Sequence, residues 1–184
     1  YKKFCDMDNV KKLMFYSEKN GFYKYYKDVI EYILAHSDIV IHYVTSDPND
    51  DVFSRTDGRI VPYYVDDNRL IPLMMKVDAD MVVMTMPDLG QYHIKRSLVR
   101  KDVEYVYMFH YPLSTHMVLR KGALDFYDTI FMVGDFQEAE IRKSEALYGT
   151  PEKKLIPVGY GVLEDMSAAY EQMDKAEHGR KKIL

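Results

Sequence analysis

The sequence predicts an α/β fold built on a doubly wound, mostly parallel sheet with helices on both faces. Three observations carry that expectation. Short apolar runs alternate along the chain with stretches whose apolar residues recur at helical spacing, the signature of successive β-α-β units. Several of the runs are apolar almost throughout, as buried strands are (Asp80–Met86, Glu104–His110). Each run closes on turn chemistry: Ser46-Asp47-Pro48, Pro87-Asp88, Tyr111-Pro112, Gly134 and Gly159-Tyr160-Gly161.

In chain order, Lys12–Glu18 is a first strand, with Leu13, Met14, Phe15 and Tyr16 between a charged lead and a polar exit. Asn20-Gly21 marks a turn, and Phe22–His36 carries apolar residues at helical spacing (Phe22, Tyr25, Tyr26, Val29, Ile30, Ile33). Ile39–Thr45 is a β-branched strand and Asn49–Gly58 an acidic loop. Arg59–Val65 is a strand that Pro62 marks as an edge candidate. Asn68 caps a helix over Arg69–Val77 with Pro72 in its first turn. Asp80–Met86 is a buried strand, followed by a polar loop and then the strand that ends at His110. A short helix around Met117–Phe126, a strand at Thr129–Val133 and a helix over Phe136–Tyr148 come next. Asp135 caps that helix, and Gly149 and Pro151 stop it. Leu155–Val158 is the last strand and Leu163–Lys175 the closing helix. Strand order cannot be read without pairing information, and no internal repeat or low-complexity segment is present.

The 184 residues suffice for one well-cored domain and are too few for two ordinary ones. With 47% hydrophobic and 29% charged residues, the balance is globular rather than disordered. A formal net charge of -4 gives no global pull toward nucleic acid. The single cysteine, Cys5, excludes an internal disulfide and fits a reducing compartment. It has no basic or helical setting that would activate a thiol. No signal peptide is visible and no apolar run approaches the ~20 residues of a membrane span. The chain opens on Tyr1 and closes on Arg180-Lys-Lys-Ile-Leu184, which reads as a strand cut off as it begins. The expected layout is a lead-in over 1–11, a domain over 12–175, and a linker with the start of a missing second domain over 176–184.

In an open parallel sheet, ligands bind outside the carboxyl ends of the strands. The residues just past those ends are Ser17 and Glu18, Thr45 to Asp47, Thr85 to Asp88, His110, Gly134 and Gly159 to Gly161. They define a cleft if the strands are parallel; equally, every strand must end in polar turn residues. His110 stands out, because an imidazole delivered to a strand end can exchange a proton near neutral pH. His36 suits a helix end, His178 lies in the tail, and His42 inside a strand is structural. His93 shares a loop with Lys95 and Arg96, which is either a solvated surface or a face for an anionic substrate. His110 and His116 do not have zinc spacing, so no metal is expected. No glycine fingerprint follows the first strand and no phosphate loop is present, so a nucleotide phosphate held by this piece alone is not expected. No Gly-x-Ser-x-Gly elbow supports a hydrolase triad.

Several segments together resemble the CDP-glycerol glycerophosphotransferase family: Tyr43-Val-Thr-Ser-Asp-Pro-Asn-Asp50, Val83-Met-Thr-Met-Pro-Asp-Leu89, Tyr92-His-Ile-Lys-Arg-Ser97, Phe109-His-Tyr-Pro-Leu-Ser-Thr-His116 and Arg120-Lys-Gly-Ala123. Shorter ones, Tyr127-Asp-Thr-Ile130, Glu145-Ala-Leu-Tyr-Gly149 and Gly159-Tyr-Gly161, agree. The resemblance runs from about Leu13 to Leu163. It implies the amino-terminal, acceptor-side half of a two-domain GT-B architecture, a Rossmann-like domain. The whole enzyme would move glycerol phosphate from CDP-glycerol to a hydroxyl of a cell-envelope polymer or a lipid-linked acceptor, releasing CMP in teichoic acid synthesis. It would need no cofactor.

By the same resemblance His110 sits where the family carries its base, although Tyr111-Pro112 replaces the family's usual Gly-Thr and marks a departure. His116, Lys95, Arg96, Ser17, Asp88 and Gly159 are the candidate substrate-binding residues, with most donor contacts left to the missing half. The implied location is cytoplasmic, peripheral on the inner face of the membrane, although no strongly basic amphipathic helix is present. A GT-B sugar transferase and a non-catalytic acceptor-binding module remain the alternatives.

Overall fold

The computed structural model describes residues 2–5 and 11–173. The expectations for the lead-in at 6–10, the Cys5 side chain, the end of the last helix beyond 173, His178 and the linker at 176–184 lie outside the described residues. Seven strands form one all-parallel sheet: β1 Lys11–Ser17, β2 Ile41–Thr45, β3 Ile60–Tyr64, β4 Ala79–Met84, β5 Glu104–Met108, β6 Thr129–Met132 and β7 Lys154–Pro157. Their spatial order is β3-β2-β1-β4-β5-β6-β7. The chain therefore winds outward from β1 in one direction, returns, and winds outward from β4 in the other. This is an α/β Rossmann-like fold, with its topological switch point between β1 and β4. The helices are α1 Lys2–Cys5, α2 Tyr23–His36, α3 Asp67–Met75, α4 Thr115–Val118, α5 Phe136–Tyr148 and α6 Gly161–Gln172, and a 3-10 turn spans Asp51–Ser54.

Side chains alternate across the pleat and so feed two cores. Met14, Tyr16, Val82, Met84, Tyr105 and Tyr107 face one side, where Leu73 and Met74 of α3 and Ile141 of α5 cover them. Leu13, Phe15, Tyr43, Val83, Val106 and Met108 face the other, beneath Tyr26 and Ile30 of α2. Tyr26, Tyr43, Tyr105, Tyr107 and Phe15 are fully buried, and each contributes roughly 2–3 kcal/mol of apolar burial. Tyr26 also stitches the switch point. Its hydroxyl donates to the Tyr16 carbonyl at 2.6 Å and accepts the Thr85 amide at 3.1 Å, joining the ends of β1 and β4.

Four expectations need correction. The ladder of β5 stops at Met108 rather than running to His110. Pairing with the short β6 ends at Phe131, and only the Phe109 amide reaches one step further, to the Phe131 carbonyl at 3.2 Å. The helix expected over Met117–Phe126 is the single turn α4 followed by turns: Leu119 is already extended, and Gly122 takes a left-handed φ of 84°. The α3 helix starts at Asp67 after Asp66, not after Asn68, so Pro72 lies inside it on an exposed position. A solvent-facing proline leaves the carbonyl four residues back to water, which lets the helix continue. The acidic loop after β2 contains the 3-10 turn, begun where the Asp50 carboxylate accepts the Val52 amide at 3.1 Å. Pro62 does lie on an edge strand, β3. Gly149, at φ 64°, ends α5.

Candidate functional site

His110 is the second residue past β5, at the carboxyl rim beside the switch point. Its ring lies among aromatics, 4.4 Å from Tyr111, 5.4 Å from Tyr25 and 5.7 Å from Phe22, centre to centre. The side chain forms no hydrogen bond with the described residues, and Nδ1 is buried without a partner. Removal from water lowers the imidazole pKa below its usual value, because the charged form loses solvation and no carboxylate compensates. The residue is thus held neutral and oriented by packing alone. Since Nδ1 is enclosed, Nε2 is the nitrogen left to meet a ligand. From β7 the chain turns at Gly159, φ 78°, and Tyr160 donates its hydroxyl to the His110 carbonyl at 3.2 Å. Gly159 and Tyr160 line a small crevice there with Tyr25 and Asp28.

The other candidates divide by location. Ser17 is fully buried, and its hydroxyl turns back to the Lys19 carbonyl at 2.9 Å, shaping the β1–α2 turn. Asp88 follows β4 on the rim. Its backbone takes the left-handed region at φ 69°, which aspartate tolerates better than most residues, and its carboxylate pairs with Arg120 at 2.7 Å. Arg96 sits at the opposite edge of the sheet. Its guanidinium donates to the carbonyls of Val103 and Phe126 and to Asp128, just before β5 and β6 begin, and it lies over the Tyr105 ring. Arg100 works the same edge, bridging Asp78, Asp80 and Asp102. Lys95 folds onto the Gly90 carbonyl at 2.6 Å. His116 is exposed on α4 and lines a separate cleft against α5.

The structure therefore brings His110 and Gly159 together and keeps Ser17, Arg96 and His116 out of that cluster. No family model, curated protein or solved structure matches this chain.

The residues that wall in His110, Phe22 and Tyr25, read in sequence as ordinary apolar helix positions. Phe22 falls just before α2 begins and Tyr25 is only half-buried, so both are free to reach the rim rather than the core. Their adjacency to an Asn-Gly turn at the end of β1 is the one signal that could have marked them. His42 is buried as a structural group, its Nδ1 2.9 Å from the Tyr63 hydroxyl. Among the described residues no group of three or more His, Cys, Asp or Glu could hold a metal ion, and no helix is long and apolar enough to cross a membrane.

Proposed function

We propose that this chain is the acceptor-side domain of a CDP-glycerol glycerophosphotransferase, with His110 as the general base. The observation that carries the reading is the neutral, hydrogen-bond-free imidazole at the carboxyl rim beside the switch point. The acceptor hydroxyl gives its proton to Nε2 as its oxygen bonds the β-phosphorus. The bond from that phosphorus to the CMP oxygen breaks, and CMP leaves with the electron pair. A base whose pKa lies below the ordinary imidazole range is unprotonated at neutral pH and ready for that step. The eight peptide segments that resemble the family support the choice of donor.

The test is CMP release from CDP-glycerol by the full-length enzyme, with a glycerol-phosphate-primed lipid acceptor. Replacing His110 by Ala should cost ~10²–10⁴ in rate. Near-normal turnover by a folded His110→Ala protein would remove the base role, and release from a nucleotide sugar alone would replace the donor. One observation favours a second reading, a module that binds the acceptor and catalyses nothing by itself: among the described residues His110 has no partner on Nδ1 of the kind that usually orients a catalytic histidine. Acceptor binding by the full-length protein without CMP release would decide for it.

A further inference from the structure

A second cavity lies away from the His110 rim. A cleft of about 580 Å³ opens between the segment from α4 through Asp125 and one side of α5. That is the size of a small-molecule site. Its lining shares no residue with the aromatic set around His110. Apolar surface comes from Leu119, Leu124 and the ring of Tyr148.

The charges in the cleft are unequally engaged. Glu140 is taken up by the Ser114 and Thr115 hydroxyls and the Thr115 amide. Glu145 is held by Arg142 at 2.7 Å and by the Lys153 amide at 2.9 Å. Arg120 is committed to Asp88. Lys143 has no ion-pair partner among the described residues, and Lys121 lies 4.3 Å over the Tyr148 ring. They face one further carboxylate, Asp125. His116 also lines the cleft. Ser114 donates to Glu140, so the 2.9 Å contact between Ser114 and His116 Nδ1 is a bond that the imidazole donates, which ties His116 to the Ser114–Glu140 pair and leaves Nε2 of the neutral ring as an acceptor.

We propose that this cleft binds a small organic phosphate. Its anionic group meets Lys121 and Lys143, and its apolar body lies on Leu119, Leu124 and Tyr148. Cations beside an apolar wall favour a ligand that carries both features over either alone. The site stands independently of any role for His110.

Phenyl phosphate is the probe, titrated calorimetrically into the whole chain, with inorganic phosphate and phenol as its two halves. The expected result is saturable binding of phenyl phosphate at a Kd of about 1 mM or below. Amide shifts should concentrate at 119–125 and 140–148. The exposed pair Lys121→Ala/Lys143→Ala should weaken binding by about tenfold or more, and Lys121→Arg/Lys143→Arg should keep it within about threefold. No saturable binding would overturn the proposal, as would an affinity unchanged in the alanine pair. Equal affinity for inorganic phosphate would reduce the site to a bare anion contact, and equal affinity for phenol would remove the anion from it; either outcome refutes the assignment.

Discussion

His42 makes the stability of this domain depend on pH, in a direction the structure fixes. The residue is on β2, 5% exposed, stacked on Tyr63 and met edge-on by Phe4. Burial first, and the nearby Lys11 second, lower its pKa from 6.5 to about 4. The folded state therefore binds this proton less well than the unfolded chain does. The contribution is complete above the unfolded value and is lost as pH falls from 6.5 toward about 4. Taken at face value the shift corresponds to ~3 kcal/mol, and partial solvation of the ring reduces it to about 2. Urea unfolding of the wild type and of His42→Gln, followed from pH ~7.5 to pH ~4.5, isolates the term, because carboxylates titrate in both proteins. The wild type should lose about 1.5 kcal/mol relative to the variant by pH ~5, with the remainder lost below that. Parallel profiles for the two proteins would refute the reasoning, as would a His42 proton resonance titrating in the ordinary imidazole range.

Tyr26→Phe should cost about 1–3 kcal/mol in chemical denaturation, since it leaves the buried Thr85 amide without its acceptor at the switch point. Arg96→Ala removes donors from two carbonyls and Asp128, and should destabilise by about 2 kcal/mol while leaving His110-dependent turnover per folded molecule unchanged. A selective loss of turnover would place Arg96 at the chemistry after all. If His110 is the base, the acid limb of kcat/KM should fall below the ordinary imidazole value, because burial keeps the ring neutral to lower pH. A limb at or above about 6.5 would contradict the neutral, desolvated imidazole.

The fold was legible because its signals are local. Runs such as Leu13–Tyr16 and Tyr105–Met108 are apolar on both faces, so their identity as strands does not depend on what they pair with. Strand order was not legible, since β1 meets β4 across two intervening strands and nothing in either run names the other. The Met117–Phe126 expectation failed because Gly122 at a left-handed φ outweighs the apolar spacing, and Met117 and Val118 end up exposed rather than on a packed face. The rim around His110 followed from strand ends alone. Arg96 did not, because the connection after β4 crosses from the carboxyl edge of the sheet to the amino edge. A basic residue reads the same anywhere along such a loop, and only its partners at Val103, Phe126 and Asp128 show which edge it serves.

What the sequence could least convey is how His110 is held. In a catalytic histidine oriented by a carboxylate, the charge formed on proton transfer is stabilised by the protein before substrate arrives. Here Nδ1 is buried with no partner among the described residues, and the rings of Tyr111, Tyr25 and Phe22 pack around the imidazole. Ring faces attract a cation, but an aromatic contact replaces only part of the solvation lost on burial. The lowered pKa is the expression of that deficit. An imidazolium formed at this position gains most from a negative charge that arrives with the ligand. On the transferase reading that charge is the phosphoryl group itself. Protonation of His110 is then favoured when donor and acceptor are both in place and disfavoured when they are not.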